Sequence, residues 1–219
     1  NTFAPTLPAV GIYGLGIMGG TMAEALLEHG YKVCGFDIDA KAKNRFKKCD
    51  GQFLPHAYDV AARADILIVS VATAKALEQV TLAIVEGQKT RKSKTSPIVI
   101  ETSTLTMADK NLCAKTLKSV GISVLDCPIS GTGAQAVSRD LVVFASGDEK
   151  AVTRRGSVFS AFAKASPYVG PFGNGMKLKL IANLLVAIHN VSTAEAIALG
   201  RRAGLDLDVL LKVIGPGAG

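Results

Sequence analysis

Three glycines at a fixed spacing are the first residues in the chain whose pattern implies chemistry. They lie in Gly14-Leu15-Gly16-Ile17-Met18-Gly19, which follows the apolar run Ala9–Tyr13 and opens a stretch of helical character. In a strand-to-helix turn with G-x-G-x-x-G spacing, the first glycine permits the tight bend. The second lets backbone approach a pyrophosphate, and the third lets helix pack closely on strand. The free N–H groups at the helix start then meet the negative phosphates. Leu15, Ile17 and Met18 belong to the same expected cofactor turn as Gly14, Gly16 and Gly19.

Asp37 closes the next apolar run, about 20 residues further on, where a carboxylate is expected to bind the adenosine ribose diol. Such a carboxylate accepts hydrogen bonds from the diol and repels a 2′-phosphate, so NAD is expected over NADP. Lys41 or Arg45 could still reach a phosphate. Asp37 could instead cap the helix that begins at Ala40, although Asp39 could fill that role.

Four segments, taken in order, resemble the β-hydroxyacid dehydrogenases. They read GLGIMG at Gly14–Gly19, ETST at Glu101–Thr104, DCPISGTGAQA at Asp126–Ala136 and GNGMKLKLIAN at Gly173–Asn183, and together they span nearly the whole chain. This family includes 3-hydroxyisobutyrate dehydrogenases, tartronate semialdehyde reductases, L-threonate dehydrogenases and, more distantly, 6-phosphogluconate dehydrogenases. The resemblance implies an NAD(P)-dependent oxidoreductase that interconverts a small hydroxy acid and its semialdehyde or keto form. It also implies that Val71, Ala72 and Thr73 line the nicotinamide side of the cofactor and that Thr104 touches it. Ser130, Gly131 and Thr132 would hold the substrate carboxylate. Lys179 would be the catalytic general acid and base, with Asn183 orienting the substrate.

The physical reading of that last pair stands beside the family one. Positions i and i+4 share a helix face, so Lys179 and Asn183 can reach one cleft. Oxidation of a hydroxy acid needs a group that takes the hydroxyl proton as hydride leaves, and a lysine of lowered pKa can do so. Without the resemblance, Lys179 would read as a surface lysine like Lys177, Ser130 as a turn residue and Asn183 as a polar residue between helices. Its register against Gly173 and Gly175 selects Lys179 over Lys177.

The chain departs from the family pattern in several places. Cys127 and Thr132 are variations on the more usual Asp-Ala-Pro-Val-Ser-Gly-Gly, and Thr132 alters the pocket beside the substrate. Arg139 and Asp140 replace a common Gly-Thr, and Arg139 is expected to pair with a surface acid. Ala182 stands where a first Asn is usual. The His-Asn pair of the 6-phosphogluconate enzymes is missing, which disfavours phosphorylated sugar acids. Two alternatives stay open: a non-catalytic dinucleotide-binding relative, and an imine-type reductase on the same scaffold. Members of both classes usually lose the lysine.

The elements that must position these residues follow a βαβ pattern, short apolar runs alternating with helical stretches. Strands are expected at Ala9–Tyr13, Lys32–Asp37, Ile66–Val71, Ile98–Glu101, Ser123–Cys127 and Leu141–Ser146. Helices are expected at Met18–His29, Ala40–Lys48, His56–Ala62, Ala74–Val85 and Met107–Val120, with Gly30 and Gly121 ending the first and last. The fold class is therefore α/β, a Rossmann-type doubly wound, mostly parallel sheet over residues 1–172. From residue 173 a long interdomain helix, Met176–Arg202, opens an all-helical second domain that continues with Leu205–Ile214. These two helices cannot bury their apolar faces alone. Either that domain is incomplete over 173–219, or a partner chain covers it, as in a homodimer or tetramer built through the helical domain.

Composition bounds the rest. An apolar fraction of 48% with 20% charged residues is that of a globular protein with a substantial core. No continuous apolar run approaches a membrane span, so no membrane is expected, and residues 1–8 read as a loose leader with no signal-peptide pattern. Cys34, Cys49, Cys113 and Cys127 are scattered, which argues against a disulfide framework or a zinc site; no metal site is expected and the cytoplasm is the simple placement. The net charge of +7 comes largely from Lys41–Lys48 and Lys89–Lys94. Only Phe46 interleaves with these basics, and one aromatic residue is no platform for stacking successive bases, so nucleic acid is not an expected partner.

Overall fold

The computed structural model of the chain describes residues 7–218; most of the expected leader, residues 1–6, lies outside the described residues, as does Gly219. Six strands form one parallel sheet: β1 (Val10–Tyr13), β2 (Val33–Phe36), β3 (Gln52–Phe53), β4 (Ile66–Val69), β5 (Ile98–Glu101) and β6 (Ser123–Asp126). Between them run α1 (Ile17–Glu28), α2 (Ala40–Lys48), α3 (Ala57–Arg63), α4 (Ala74–Thr90) and α5 (Met107–Lys118). The strand order is β3-β2-β1-β4-β5-β6, so the doubly wound expectation is borne out. The order reverses between β1 and β4, where Val10 pairs with Val33 on one side and Ile66 on the other. Ligands of open α/β sheets bind outside the carboxyl ends of the strands at such a reversal.

β1, β4 and β5 are buried along their whole length, as a parallel strand covered by helices on both faces must be. Alternate side chains serve two cores. Val10, Ile12, Ile66 and Ile68 pack with Met22 and Leu26 of α1 on one face. Tyr13, Leu67 and Val69 meet Val60 of α3, Leu77 of α4 and Leu117 of α5 on the other. Helix starts are set by side chains: Asp39 caps α2, Thr73 caps α4 and Thr106 caps α5. Gly30 and Gly121 follow α1 and α5 with φ of 81° and 78°, the left-handed backbone that lets a helix end sharply.

Beyond β6 the chain leaves the parallel pattern. β7 (Ile129–Ser130) and β8 (Val142–Val143) form an antiparallel pair around α6 (Gly133–Val137), followed by α7 (Glu149–Thr153) and α8 (Gly156–Phe162). The strand expected at Leu141–Ser146 is thus mostly irregular. Val142 and Val143 pair with β7, and Ser146 bridges back to Asp126 in antiparallel fashion. Apolar alternation read correctly as extended chain there, but it carries no information on the direction of the partner. The shorter elements β3, β7, α6, α7 and α8 had too few residues to show a period.

The chain divides into two compact units, residues 1–179 and 180–219. α9 (Asn174–Arg202) is one continuous helix of 29 residues, and α10 (Leu207–Ala218) follows it. Within the second unit Leu210 lies against Gly200, where an added Cβ would meet Leu210 Cδ1 at 2.2 Å. Many apolar side chains of this unit are exposed, among them Leu184, Leu185, Val191 and Leu199. An 18-residue window of α9 reaches a mean hydropathy of 1.4, so by length and composition alone this helix could cross a membrane. Its apolar character is not continuous, since Asn183, His189 and Asn190 interrupt it.

Candidate active site

The glycine turn has the shape its spacing implies. Gly14 adopts φ of 86°, and a Cβ there would lie 2.1 Å from Ser70 O, just past the end of β4. A Cβ on Gly19 would lie 1.9 Å from Gly14 O, so α1 sits directly against the turn. Gly16 differs: an added Cβ would meet nothing within 4 Å. It is the N-cap of α1, offers no side-chain acceptor to the helix, and has no acid in the turn that follows. The first N–H groups of α1 are thus left without a side-chain partner beside open space, which fits a dinucleotide pyrophosphate.

Two residues of the second βα unit clasp the turn. Leu15 N donates to Asp37 Oδ2 at 2.6 Å, while Arg45 Nη2 donates to Leu15 O at 2.5 Å and Gly16 O at 3.2 Å. Leu15 therefore acts through its backbone, its side chain being fully buried in the core. Asp37 Oδ1 accepts Asp39 N at 2.8 Å. Asp39, and not Asp37, caps α2, taking Lys41 N and Ala42 N. Arg45, weighed from sequence as a phosphate contact, is engaged with the turn's carbonyls.

A crevice runs across this turn in two parts. On one side a groove of about 370 Å³ is lined by Gly14, Asp37, Ile38, Thr73 and Val80. It is largely apolar with one carboxylate, the character that suits an adenosine. On the other side a cleft of about 390 Å³ is lined by Ile17, Met18, Gly19, Thr104, Gly131 and Lys179. Gly16, Ser70, Val71 and Ala72 border both parts. Thr73, expected with Val71 and Ala72 on the nicotinamide side, borders the groove with Asp37 and not the cleft with Lys179; its hydroxyl accepts Ala76 N as the cap of α4, which leaves its own proton to donate.

Lys179 is half-buried, and burial alone pulls its amine below the ordinary lysine value of 10.5. Gly131 reaches the same cleft with φ of 138°, where a Cβ would strike Leu141. Ser130 ends β7 and is half-buried, with no hydrogen bond from its hydroxyl among the described residues. Thr132 is drawn into a capping box: its N–H donates to Gln135 Oε1 at 2.9 Å and its hydroxyl accepts Gln135 N. Only the hydroxyl proton of Thr132 remains to be donated. Asn183 lies on α9 in the second unit. Arg139 pairs with Glu28 of α1 at the surface.

Other residues that build the site were not singled out from sequence. Ser103 Oγ accepts Val71 N at 3.0 Å and so ties the β4 and β5 loops together. Lys110, set in an ordinary amphipathic helix pattern, is fully buried between Glu101 and Asp126. No local signal marks it, because its partners lie on two different strands.

Comparison with known proteins agrees with this geometry. Residues 9–170 match the family described as the NAD binding domain of 6-phosphogluconate dehydrogenase. Residues 173–219 match that described as NAD-binding of NADP-dependent 3-hydroxyisobutyrate dehydrogenase. Human mitochondrial 3-hydroxyisobutyrate dehydrogenase is 32% identical over 211 residues, covering 96% of this chain and 62% of that protein. L-threonate dehydrogenase of Cupriavidus necator is 32% identical over 213 residues, covering 96% of this chain and 70% of its own length. The structure of Mycobacterium tuberculosis 3-hydroxyisobutyrate dehydrogenase with L-serine superposes with a TM-score of 0.87 at 25% identity, covering 97% of this chain and 72% of that one. The chain thus spans 62% of the length of the human relative.

Proposed function

Because the chain belongs to the family of NAD-binding hydroxyacid dehydrogenases that includes 3-hydroxyisobutyrate dehydrogenase, we propose that it catalyses reversible oxidation of a small hydroxy acid to its semialdehyde or keto form. The observation that carries this reading is that Lys179, its amine lowered by burial, opens onto the same cleft as the phosphate-ready turn at Gly16.

The bound nicotinamide supplies the hydride chemistry. The residues of the chain bind, orient and move the proton. Neutral Lys179 Nζ accepts the substrate hydroxyl proton during oxidation; in reduction the ammonium returns it to the carbonyl oxygen. Ser130 and Thr132 hydroxyls, with backbone at Gly131, hold the carboxylate. Thr132 retains a free hydroxyl proton for this role even while capping α6. Asn183, one turn beyond Lys179, orients the substrate. Val71, Ala72 and Thr104 form the wall against the nicotinamide.

NAD is the proposed cofactor. Support comes from Asp37, whose carboxylate borders the adenosine groove, and from Arg45, whose guanidinium is occupied by the turn. The family description at residues 173–219 names an NADP-dependent enzyme, so the two cofactors must be compared directly. The exposed apolar faces of α9 and α10 support assembly with a second copy into a homodimer or tetramer. Four free thiols support a cytoplasmic setting.

The test is NADH formation with a panel of small hydroxy acids that includes 3-hydroxyisobutyrate and L-threonate. Turnover of at least one, lost in Lys179→Ala, supports the proposal. Reduction of a cyclic imine with no turnover of any acid would favour the imine-type alternative. NADH binding without turnover of either class would favour a non-catalytic relative.

A further inference from the structure

Glu101 and Asp126 stand side by side, paired in register at the carboxyl ends of β5 and β6. Both are buried, with side-chain exposures of 1% and 0%. Two carboxylates so placed repel unless a cation lies between them. Lys110 of α5 fills that position with its side chain wholly buried, Nζ lying 2.5 Å from Asp126 Oδ1 and 2.7 Å from Glu101 Oε2. One cation against two anions leaves a formal charge of −1. Backbone donors and the positive start of α9 offset it.

Those donors give the cluster its meaning. Glu101 Oε1 accepts Ser103 N at 2.8 Å, and Ser103 Oγ in turn accepts Val71 N at 3.0 Å. That arm fixes the wall proposed to face the nicotinamide. Asp126 Oδ2 accepts Met176 N at 2.8 Å. Beside it, Ser146 Oγ accepts Gly175 N at 3.1 Å and donates to Asp126 O at 2.8 Å. A Cβ on Gly175 would lie 2.4 Å from Phe144 O and 2.7 Å from Asp126 O, so the first turn of α9 has no room to slide. Lys179 sits one turn beyond Met176 on that helix. The other arm therefore fixes the base.

We infer that Lys110, with Glu101 and Asp126, is a positioning device that sets the distance between the cofactor wall at Val71 and the amine of Lys179. None of the three lines the cleft. A buried ion cluster is a poor source of net stability, since apolar residues of similar volume often serve as well or better. What it supplies here is direction: each carboxylate has one oxygen on the shared lysine and one on a different side of the cleft. A displacement of about 1 Å at reacting groups can cost on the order of 100-fold in rate, so such a link has consequences for chemistry.

The inference rests on the proposed dehydrogenase reading, and two isosteric variants separate the two. In Asp126→Asn the new amide cannot accept from both Lys110 and Met176 N, so the helix anchor or the lysine contact is lost. In Glu101→Gln the same conflict falls on Ser103. Three readouts apply to the full chain: NADH affinity by fluorescence titration, steady-state kinetics, and amide hydrogen exchange at residues 175–179. For Asp126→Asn the expected result is NADH affinity within about twofold of the parent, kcat down about tenfold or more, and faster exchange at Gly175 and Met176. For Glu101→Gln it is NADH affinity weakened about fivefold or more with exchange at 175–179 unchanged. If both variants melt lower but keep parental affinity, kinetics and exchange, the cluster is merely structural and the inference is overturned. If the parent itself neither binds NADH nor turns over, the dehydrogenase reading fails. Exchange at Met176 in Asp126→Asn then still decides whether the anchor exists.

Discussion

The Asp37 carboxylate accepts the Leu15 N–H at 2.6 Å, joining the end of β2 to the centre of the glycine turn. One residue thus shapes the turn and, from the same position, borders the groove suited to an adenosine ribose. These roles can be separated. Asp37→Asn keeps one acceptor oxygen, which can serve Leu15 N or Asp39 N but not both, and removes the charge that repels a 2′-phosphate. The preference for NAD over NADP, measured as a ratio of kcat/KM, is expected to fall about tenfold, equivalent to about 1.4 kcal/mol. One of the two backbone N–H groups loses its acceptor, so the melting temperature should fall modestly, for a loss of about 1 kcal/mol.

Gly16 and Gly19 predict opposite outcomes for the same substitution. Gly16→Ala adds a methyl to open space and costs the fold about 1 kcal/mol at most, as a change of N-cap. It should nonetheless weaken NADH binding at least tenfold, because the methyl takes the place of the phosphate. Gly19→Ala drives a Cβ into Gly14 O. It should lose about 1–3 kcal/mol of stability and bind NADH poorly as a result. Melting curves alongside NADH titrations distinguish these two failures.

The depressed amine of Lys179 has a pH signature. Oxidation needs the neutral form, so kcat for the hydroxy acid should rise with pH to a plateau, with its midpoint below the ordinary lysine value of 10.5. Carbonyl reduction needs the ammonium and should fall over the same interval. Stability follows from the same shift. Burial disfavours the charged amine in the folded state only, so the penalty is present in full below the lowered pKa. It fades as pH rises towards the ordinary value, and stability therefore increases with pH across that window. Lys179→Met has no ammonium to bury. It should melt no lower than the parent at neutral pH, lose this slope and lose turnover.

Lys110→Met tests the buried cluster for stability. Removing the cation leaves two buried carboxylates facing each other, a loss expected to reach about 3–5 kcal/mol. The loss should be insensitive to added salt, because none of the three groups is exposed to screening. A variant that melts with the parent would show that the carboxylates find other partners.

How much of this was legible in the sequence depends on how local each feature is. Gly14, Gly16 and Gly19 act within one turn, and the strand before and helix after them are continuous apolar and periodic runs; all of that could be read directly. α2 was bounded correctly because Asp39 caps it and its composition changes at both ends. Short pieces such as β3 and α6 hold too few residues to declare a period. The direction of β8 could not be read because alternation says nothing about the partner strand. Lys110 stayed hidden for another reason: in sequence it is one more lysine on a polar helix. Only the register of β5 against β6 reveals that it has two carboxylates to satisfy. Charge alone leaves Lys41 or Arg45 able to reach a phosphate. In the fold the reach of Arg45 is spent on the carbonyls of Leu15 and Gly16.

In the proposed dehydrogenase, one cleft brings a dinucleotide held at Gly16 together with the amine of Lys179. The most direct measurement is a crystal structure of the chain with NAD and a hydroxy acid such as 3-hydroxyisobutyrate bound. The pyrophosphate is expected at the start of α1, with Lys179 Nζ within hydrogen-bond reach of the substrate hydroxyl, about 2.6–3.2 Å. A nicotinamide seated elsewhere, or a Lys179 amine turned away from the bound hydroxyl, would contradict this arrangement.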